Sequence, residues 1–213
     1  MKTTSLYSDI NDWFFSTLKL LLGKQKNVTI ALPGGHSLDG WYASFIADKE
    51  VWKWIDIGRL RWCLVDERCV APKSSDRNDR YVWEVFLKPL GFVPEQFLCL
   101  WVSEVDALGY TEIIGTPDIA IFWLWPDGHI ASLFPNHPAL RAQVEGYISI
   151  SDSPKPPSQR ISLSPISASK IPHTALFVVW AEKKIAFESS LDLWKTIDAC
   201  PSKLLHPDII FQQ

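Results

Sequence analysis

Residues Ile119, Ala120, Ile121, Phe122, Trp123 and Leu124 form an unbroken apolar run. A strand without polar alternation is apolar on both faces, so it belongs inside a sheet that is covered on both sides. Residues 28–32 and 175–179 read as short buried strands, residues 60–65 read as a strand, and residues 97–101 and 209–211 are also strand-like. Segments of helical character lie between them. Leu6, Ile10, Trp13, Phe14, Leu18, Leu21 and Leu22 recur at three and four and predict an amphipathic helix ending near Gly23. Helices are also expected over residues 38–47, 104–114 and 182–193, and from the polar loop at 74–79 to Leu87. This alternation predicts an α/β fold, Rossmann-like, with a mostly parallel sheet and helices on both faces. Residues 151–159, rich in Ser and Pro, predict an exposed loop.

A chain of 213 residues predicts one domain over residues 1–213. The net charge of −3 offers no general attraction to nucleic acid or an anionic membrane, and neither is an expected partner. An anionic ligand then needs a local cluster of cations. Cys63, Cys69, Cys99 and Cys200 show no Cys-x2-Cys spacing, which predicts reduced thiols and a cytoplasmic protein. The first residues lack the apolar run of a signal peptide, and no apolar stretch is long enough to cross a bilayer. The abundant tryptophans are expected in cores and interfaces.

In open α/β sheets ligands bind beyond the carboxyl ends of the strands. Four segments there carry chemistry. Gly34 and Gly35 let backbone amides approach an anion at the start of a helix, or simply make a tight turn. Asp66, Glu67 and Arg68 follow an apolar strand: Arg68 offers a planar fork to phosphate, and a carboxylate can orient it or bind sugar hydroxyls. The same residues also suit a surface ion-pair cluster. Asn78 and Arg80, opening the next helix, add amide and guanidinium donors or serve as a cap and a solvated charge. Asp127, Gly128 and His129 follow the most apolar strand. His129 titrates near neutrality and suits a general base, Asp127 can orient it, and Gly128 frees the turn. Lys183 lies after another buried strand and can supply a point charge, and Arg160 is a further cation. His36, His129 and His137 lack metal-ligand spacing, so no metal is expected. Neither a Gly-x-Ser-x-Gly elbow nor a Gly-x-Gly-x-x-Gly dinucleotide loop is present.

In order and spacing these segments resemble the 6-phosphogluconolactonases. That family's Ser-Gly-Gly-Ser-Thr-Pro is matched in part by Pro33, Gly34, Gly35, His36, Ser37 and Leu38. Its Val-Asp-Glu-Arg is matched in full by Val65 to Arg68, and its Ser-Asn-Tyr-Arg at Asn78 and Arg80. Its Asp-Gly-His-Thr-Ala-Ser-Leu-Phe-Pro is matched from Asp127 to Pro135 except at Ile130. The resemblance implies a cofactor-free hydrolase of the pentose phosphate pathway that opens 6-phospho-D-glucono-1,5-lactone. It implies a small sugar phosphate as the partner, in a monomer or weak homo-oligomer. His129 then activates water, and Arg68, Lys183 and Arg160 anchor phosphate with Gly34, Gly35, His36 and Ser37. Where the family carries Gly-x-Gly before Asp-Gly-His, this chain has Trp123 and Trp125, then Pro126. Those indoles are expected to narrow the pocket, which also suits a non-catalytic sugar-phosphate-binding or regulatory relative. An amino-sugar phosphate deaminase or isomerase is a third reading; Ser132 to Pro135 departs from that branch's Ala-Phe-Asn-Glu-Pro. Against the family pattern the chain is short after Phe211.

Overall fold

A computed structural model describes residues 7–47, 52–99, 106–178 and 184–212. Five strands form one sheet: β1 (Val28–Leu32), β2 (Leu60–Leu64), β4 (Ile119–Trp123), β7 (His173–Val178) and β8 (Ile209–Gln212). Their order is β2-β1-β4-β7-β8, and every neighbouring pair is parallel. The expected parallel α/β sheet is therefore present, with the apolar run of β4 at its centre.

Both faces of that sheet are covered, which is why its strands lack alternation. Ile30, Leu32, Trp62, Leu64, Ile119, Ile121 and Phe177 point to one core. That core is shared with α1 (Ser8–Leu22) and α2 (Asp39–Ala47), and with α3 (Asn78–Val82), which runs on in wider turns over Trp83–Leu87. Ala31, Cys63, Ala120, Phe122, Leu176 and Val178 point to the other core, under α4 (Ala107–Ile114), α5 (Pro165–Lys170) and α6 (Lys184–Leu191). In α1 the buried positions are Ile10, Phe14, Thr17, Leu18 and Leu21, the stripe set by helical periodicity. Trp41 and Trp62 are core residues, whereas Trp54 and Trp194 are exposed, against the expectation for tryptophan.

A second sheet was not expected from the sequence. β3 (Asp66–Arg68), β5 (Tyr147–Ile150) and β6 (Arg160–Leu163) form it in the order β3-β6-β5, antiparallel throughout. The chain crosses between sheets at Val65, whose N–H donates to Leu32 O at 2.9 Å while its carbonyl accepts from Leu163 N at 2.8 Å. The three charged residues expected in a loop thus continue β2 as a strand above the carboxyl edge of the main sheet. Residues 97–101 do not form a regular strand where described: Phe97 makes a single parallel bridge to Trp62, and 100–101 lie outside the described residues. Residues 151–159 form the expected loop.

The core beneath α1 is aromatic. Phe14 is fully buried, with ring centroids 5.2 Å from Phe45, 5.8 Å from Trp41 and 6.4 Å from Trp62. Replacing it by alanine empties a site whose neighbours are rigid rings. Phe14→Ala is expected to cost about 3–5 kcal/mol in urea unfolding. A loss below about 1 kcal/mol would mean that the rings collapse to fill the space.

Candidate active site

β4 ends at Trp123, and the chain turns over Asp127, Gly128 and His129. Gly128 N donates to Trp125 O at 2.9 Å and Trp125 N to His129 O at 3.1 Å, closing the turn. Gly128 has φ +87°, the left-handed region that a Cβ disfavours. Its open side is filled by Cys200, whose Sγ lies 3.1 Å from where a Cβ would be, and Ser202 N donates to its carbonyl at 3.2 Å.

The turn brings the Asp127 carboxylate onto the His129 imidazole, Nδ1 to Oδ1 at 2.5 Å. An ionised carboxylate only accepts, so Nδ1 carries the proton and Nε2 keeps a lone pair. The ring is buried, stacked on Trp125 at 5.0 Å and 10° and against Phe134 at 4.4 Å. Burial pushes the imidazole below its ordinary value, outweighing the opposing hydrogen bond and charge of Asp127. Burial would raise the Asp127 carboxyl, but the His129 hydrogen bond and charge, with Lys155, hold it well below the usual carboxylate range. Lys155 Nζ lies 3.3 Å from Asp127 Oδ2 and 4.5 Å from the Trp125 ring centre.

A polar chain links β6 to β3. Arg160 donates to Ser132 Oγ at 3.3 Å, and Ser132 donates to Asp66 Oδ2 at 2.6 Å. The Arg160 guanidinium also donates to the carbonyls of Lys155, Pro156 and Pro157, so it braces the Pro-rich loop that presents Lys155. Arg68 lies opposite Arg160 in the β3–β6 pairing and donates to Asp76 O at 2.8 Å.

Two adjoining spaces meet here. An outer cavity of about 650 Å³ is bordered by Gly35, His36, Arg68, Tyr81, Trp125 and Lys155, among others. An inner pocket of about 20 Å³ is bordered by Asp66, His129 and Arg160, with Gly34, Arg68 and Asn78 shared between the two. Trp123 and Trp125 border both.

Most of the residues expected at the site converge on it: Gly34, Gly35, His36, Asp66, Arg68, Asn78, Asp127, His129 and Arg160 border one or both spaces. Gly128 serves through its backbone. Two expectations need correction. Glu67 is fully buried and accepts from the backbone N–H groups of Arg68 (2.6 Å), Asn78 (2.9 Å) and Asp79 (2.8 Å), so it fastens α3 and borders neither space. Burial and nearby Asp79 push its carboxyl up to about 7. Arg80 is exposed and donates to Lys73 O at 2.7 Å, also away from both spaces. Lys183 lies outside the described residues, and of Ser37 only the backbone is described, in the 3₁₀ turn His36–Leu38 that leads into α2.

Lys155 and Tyr81 were not singled out from the sequence. The Tyr81 hydroxyl donates to Asp39 and lies 2.8 Å from His36 Nδ1 at the rim of the outer cavity. No local pattern points to either residue; Lys155 arrives through the return of the Pro-rich loop to Arg160. Among the described residues no group of three His, Cys, Asp or Glu side chains is placed to hold a metal ion, and no helix is long and apolar enough to cross a membrane.

Fold and site together define an α/β protein with an imidazole–carboxylate pair and a cationic cleft at the carboxyl edge of a parallel sheet. A family model described as glucosamine-6-phosphate isomerases/6-phosphogluconolactonase matches residues 2–210. The chain belongs to that family. It is similar to a 6-phosphogluconolactonase of Borreliella burgdorferi, 31% identical, with 96% of this chain and 93% of that protein covered. Chloroplastic 6-phosphogluconolactonase 3 of Arabidopsis thaliana is 32% identical over 64% of this chain, which spans about half (48%) of that relative's length. The crystal structure of 6-phosphogluconolactonase from Thermotoga maritima superposes with TM-score 0.80 at 18% identity, covering 100% of this chain and 96% of that one. A monomeric glucosamine-6-phosphate deaminase gives 0.75 at 14% identity, covering 97% and 92%.

The turn itself is open to test. Gly128→Ala is expected to cost about 1–3 kcal/mol from its left-handed backbone, read as a lower urea midpoint. Adding Cys200→Ala relieves the contact with Sγ but not the backbone strain, so only part of the loss returns. An unchanged midpoint in the single variant would count against this account of the turn.

Proposed function

We propose that this chain hydrolyses 6-phospho-D-glucono-1,5-lactone to 6-phosphogluconate without a cofactor, with His129 as general base. The observation that carries the reading is the Asp127–His129 pair, its tautomer fixed and its imidazole kept neutral by burial at the floor of a cationic cleft. The family membership and the full-length likeness to the Borreliella lactonase support it.

His129 Nε2 takes a proton from water as the water oxygen bonds to the lactone carbonyl carbon. The carbonyl π electrons move to oxygen, and as they return the ring C–O bond breaks. The imidazolium then gives its proton to the departing ring oxygen. Asp127 holds the ring and stabilises the imidazolium, as in other base–carboxylate pairs. Phosphate is assigned to the outer cavity, near Lys155, Arg68 and the backbone amides of Gly35, His36 and Ser37 ahead of α2. Lys183 is proposed as a further cation there. The protein is proposed to act as one domain, in the cytoplasm, as a monomer or weak homo-oligomer.

A second reading has one observation in its favour: Trp125 lies flat on His129 and the space beside the imidazole is small. In that reading the chain binds a sugar phosphate without turning it over. Lactone hydrolysis, measured at a pH where spontaneous opening is slow, separates the two. His129→Ala is expected to lose about 10²–10⁴-fold in kcat. Equal rates for wild type and His129→Ala, both at the uncatalysed level, would establish the binding reading. In that case Trp125→Gly is expected to gain activity.

The pH dependence has a definite sign. Activity needs the neutral imidazole, so it is lost as pH falls through the His129 pKa. Burial lowers that value, so the acid limb of kcat/KM lies below the usual imidazole value of about 6.5. Asp127 opposes the lowering, and Asp127→Asn is therefore expected to move the limb further toward acid while reducing kcat. A limb above pH 7 in the wild type would contradict the assignment.

A further inference from the structure

Two side-chain atoms at the inner pocket are buried with no hydrogen-bond partner among the described residues: Asn78 Oδ1 and Arg68 Nε. A buried polar group without a partner costs stability, so such atoms at a cleft point to what the cleft holds. The orientation of the Asn78 amide is fixed. Its Nδ2 donates to Asp66 O at 3.0 Å, so Oδ1 is the remaining acceptor. Its backbone N–H is tied to Glu67 at 2.9 Å, and the residue is 2% exposed. The amide lies where a side chain at Gly34 would be, since a Cβ there would collide with it.

An orphan acceptor needs a proton donor. A phosphate oxygen, largely deprotonated at neutral pH, is not one. The candidates are a hydroxyl group and water. Size decides between them. The inner pocket is about 20 Å³, and one water needs about 10–15 Å³ measured this way. A sugar ring fits only in the outer cavity of about 650 Å³, which Asn78 and Arg68 also border; the inner pocket is the space they share with His129. His129, Asn78, Arg68 and Asp66 all border the inner space, so a water there has an ample set of polar partners. The imidazole turns Nδ1 to Asp127, which borders the outer cavity, while the ring itself borders the inner one.

We propose that the inner pocket seats the attacking water and that Asn78 is a further catalytic residue, its side-chain carbonyl accepting the water's second hydrogen. This rests on the lactonase reading above. Water brings two protons to the reaction. One passes to His129 Nε2 as the C–O bond forms. The other stays on the oxygen, held by Asn78 Oδ1, and leaves to solvent once the product acid is released. Arg68 Nε donates to the same oxygen and, with Asn78, aims its lone pair. Gly34 lacks a side chain so that the Asn78 amide can reach this point.

The test joins a crystal structure of the wild type with kinetics of Asn78→Ala. The expected structure has an ordered water within about 3.2 Å of Asn78 Oδ1 and His129 Nε2. Asn78→Ala is expected to lose about 10- to 100-fold in kcat. Its KM, its affinity for 6-phosphogluconate and its acid limb should stay as in the wild type. The proposal is overturned by a vacant inner pocket, or by a 6-phosphogluconate hydroxyl on Asn78 Oδ1. It is equally overturned if Asn78→Ala weakens 6-phosphogluconate binding while kcat holds. If the variant does not fold, the wild-type structure alone decides whether water or a hydroxyl occupies the atom. A wild type that shows the water yet hydrolyses no lactone defeats the functional reading while upholding the seat of the water.

Discussion

A carboxylate without solvent contact fastens one wall of the site. Glu67 accepts three backbone N–H groups, and Arg77, itself paired with Asp79, lies 3.5 Å away. Two of those N–H groups, on Asn78 and Asp79, are at the start of α3, where the helix has no intrahelical acceptors for them. A negative group suits that end of a helix. The third belongs to Arg68, the next residue in the strand. One side chain therefore ties β3 to α3, and through that tie it sets Arg68 and Asn78, both of which border the cleft. The cost of burying charge, with the like charge of Asp79, shows in the raised Glu67 carboxyl, and the three N–H donors oppose it.

The site works by contrast with that arrangement. Asp127 is half-exposed, stays ionised and faces Lys155, whereas its partner imidazole is buried and stays neutral. The proposed base needs an unprotonated lone pair, and the proposed phosphate cleft needs cations that would disfavour a charged imidazole. Placing His129 under Trp125 and against Phe134 meets both demands, because low polarity disfavours the imidazolium until the reaction itself creates it. Arg160 contributes from β6. Its guanidinium is occupied by three loop carbonyls and Ser132, so it acts more as the brace for the Lys155 loop than as a free phosphate ligand.

The main sheet was legible in the sequence because burial on both faces removes most polar residues: β4 is a continuous apolar run, and β1, β2 and β7 are mostly apolar. β3 was not legible. Asp66, Glu67 and Arg68 look like a solvated turn, and only pairing with β6 and the clamp on α3 make a strand of them. The imidazole–carboxylate pair was legible because two positions across a glycine turn bring Asp127 and His129 together locally. Lys155 and Tyr81 were not, since each reaches the cleft through contacts distant in sequence. Glu67 and Arg80 were placed at the cleft wrongly because residue type does not reveal which way a side chain faces. Arg80 turns outward one helical position after the buried pair that anchors α3.

Trp123 and Trp125 stand where the family pattern has glycines, and their effect depends on which space they narrow. They border both, but the outer cavity remains large enough for a phosphorylated sugar while the inner one holds about a single water. A wall that confines the space beside a general base to one small molecule does not oppose hydrolysis, provided the carbonyl can reach its mouth. It restricts where water can sit and therefore from which side it can attack. The indoles also keep bulk solvent from the imidazole, which preserves its neutral form. The same residues that make the pocket look closed thus define, in this geometry, a pocket sized for the second substrate of a hydrolase.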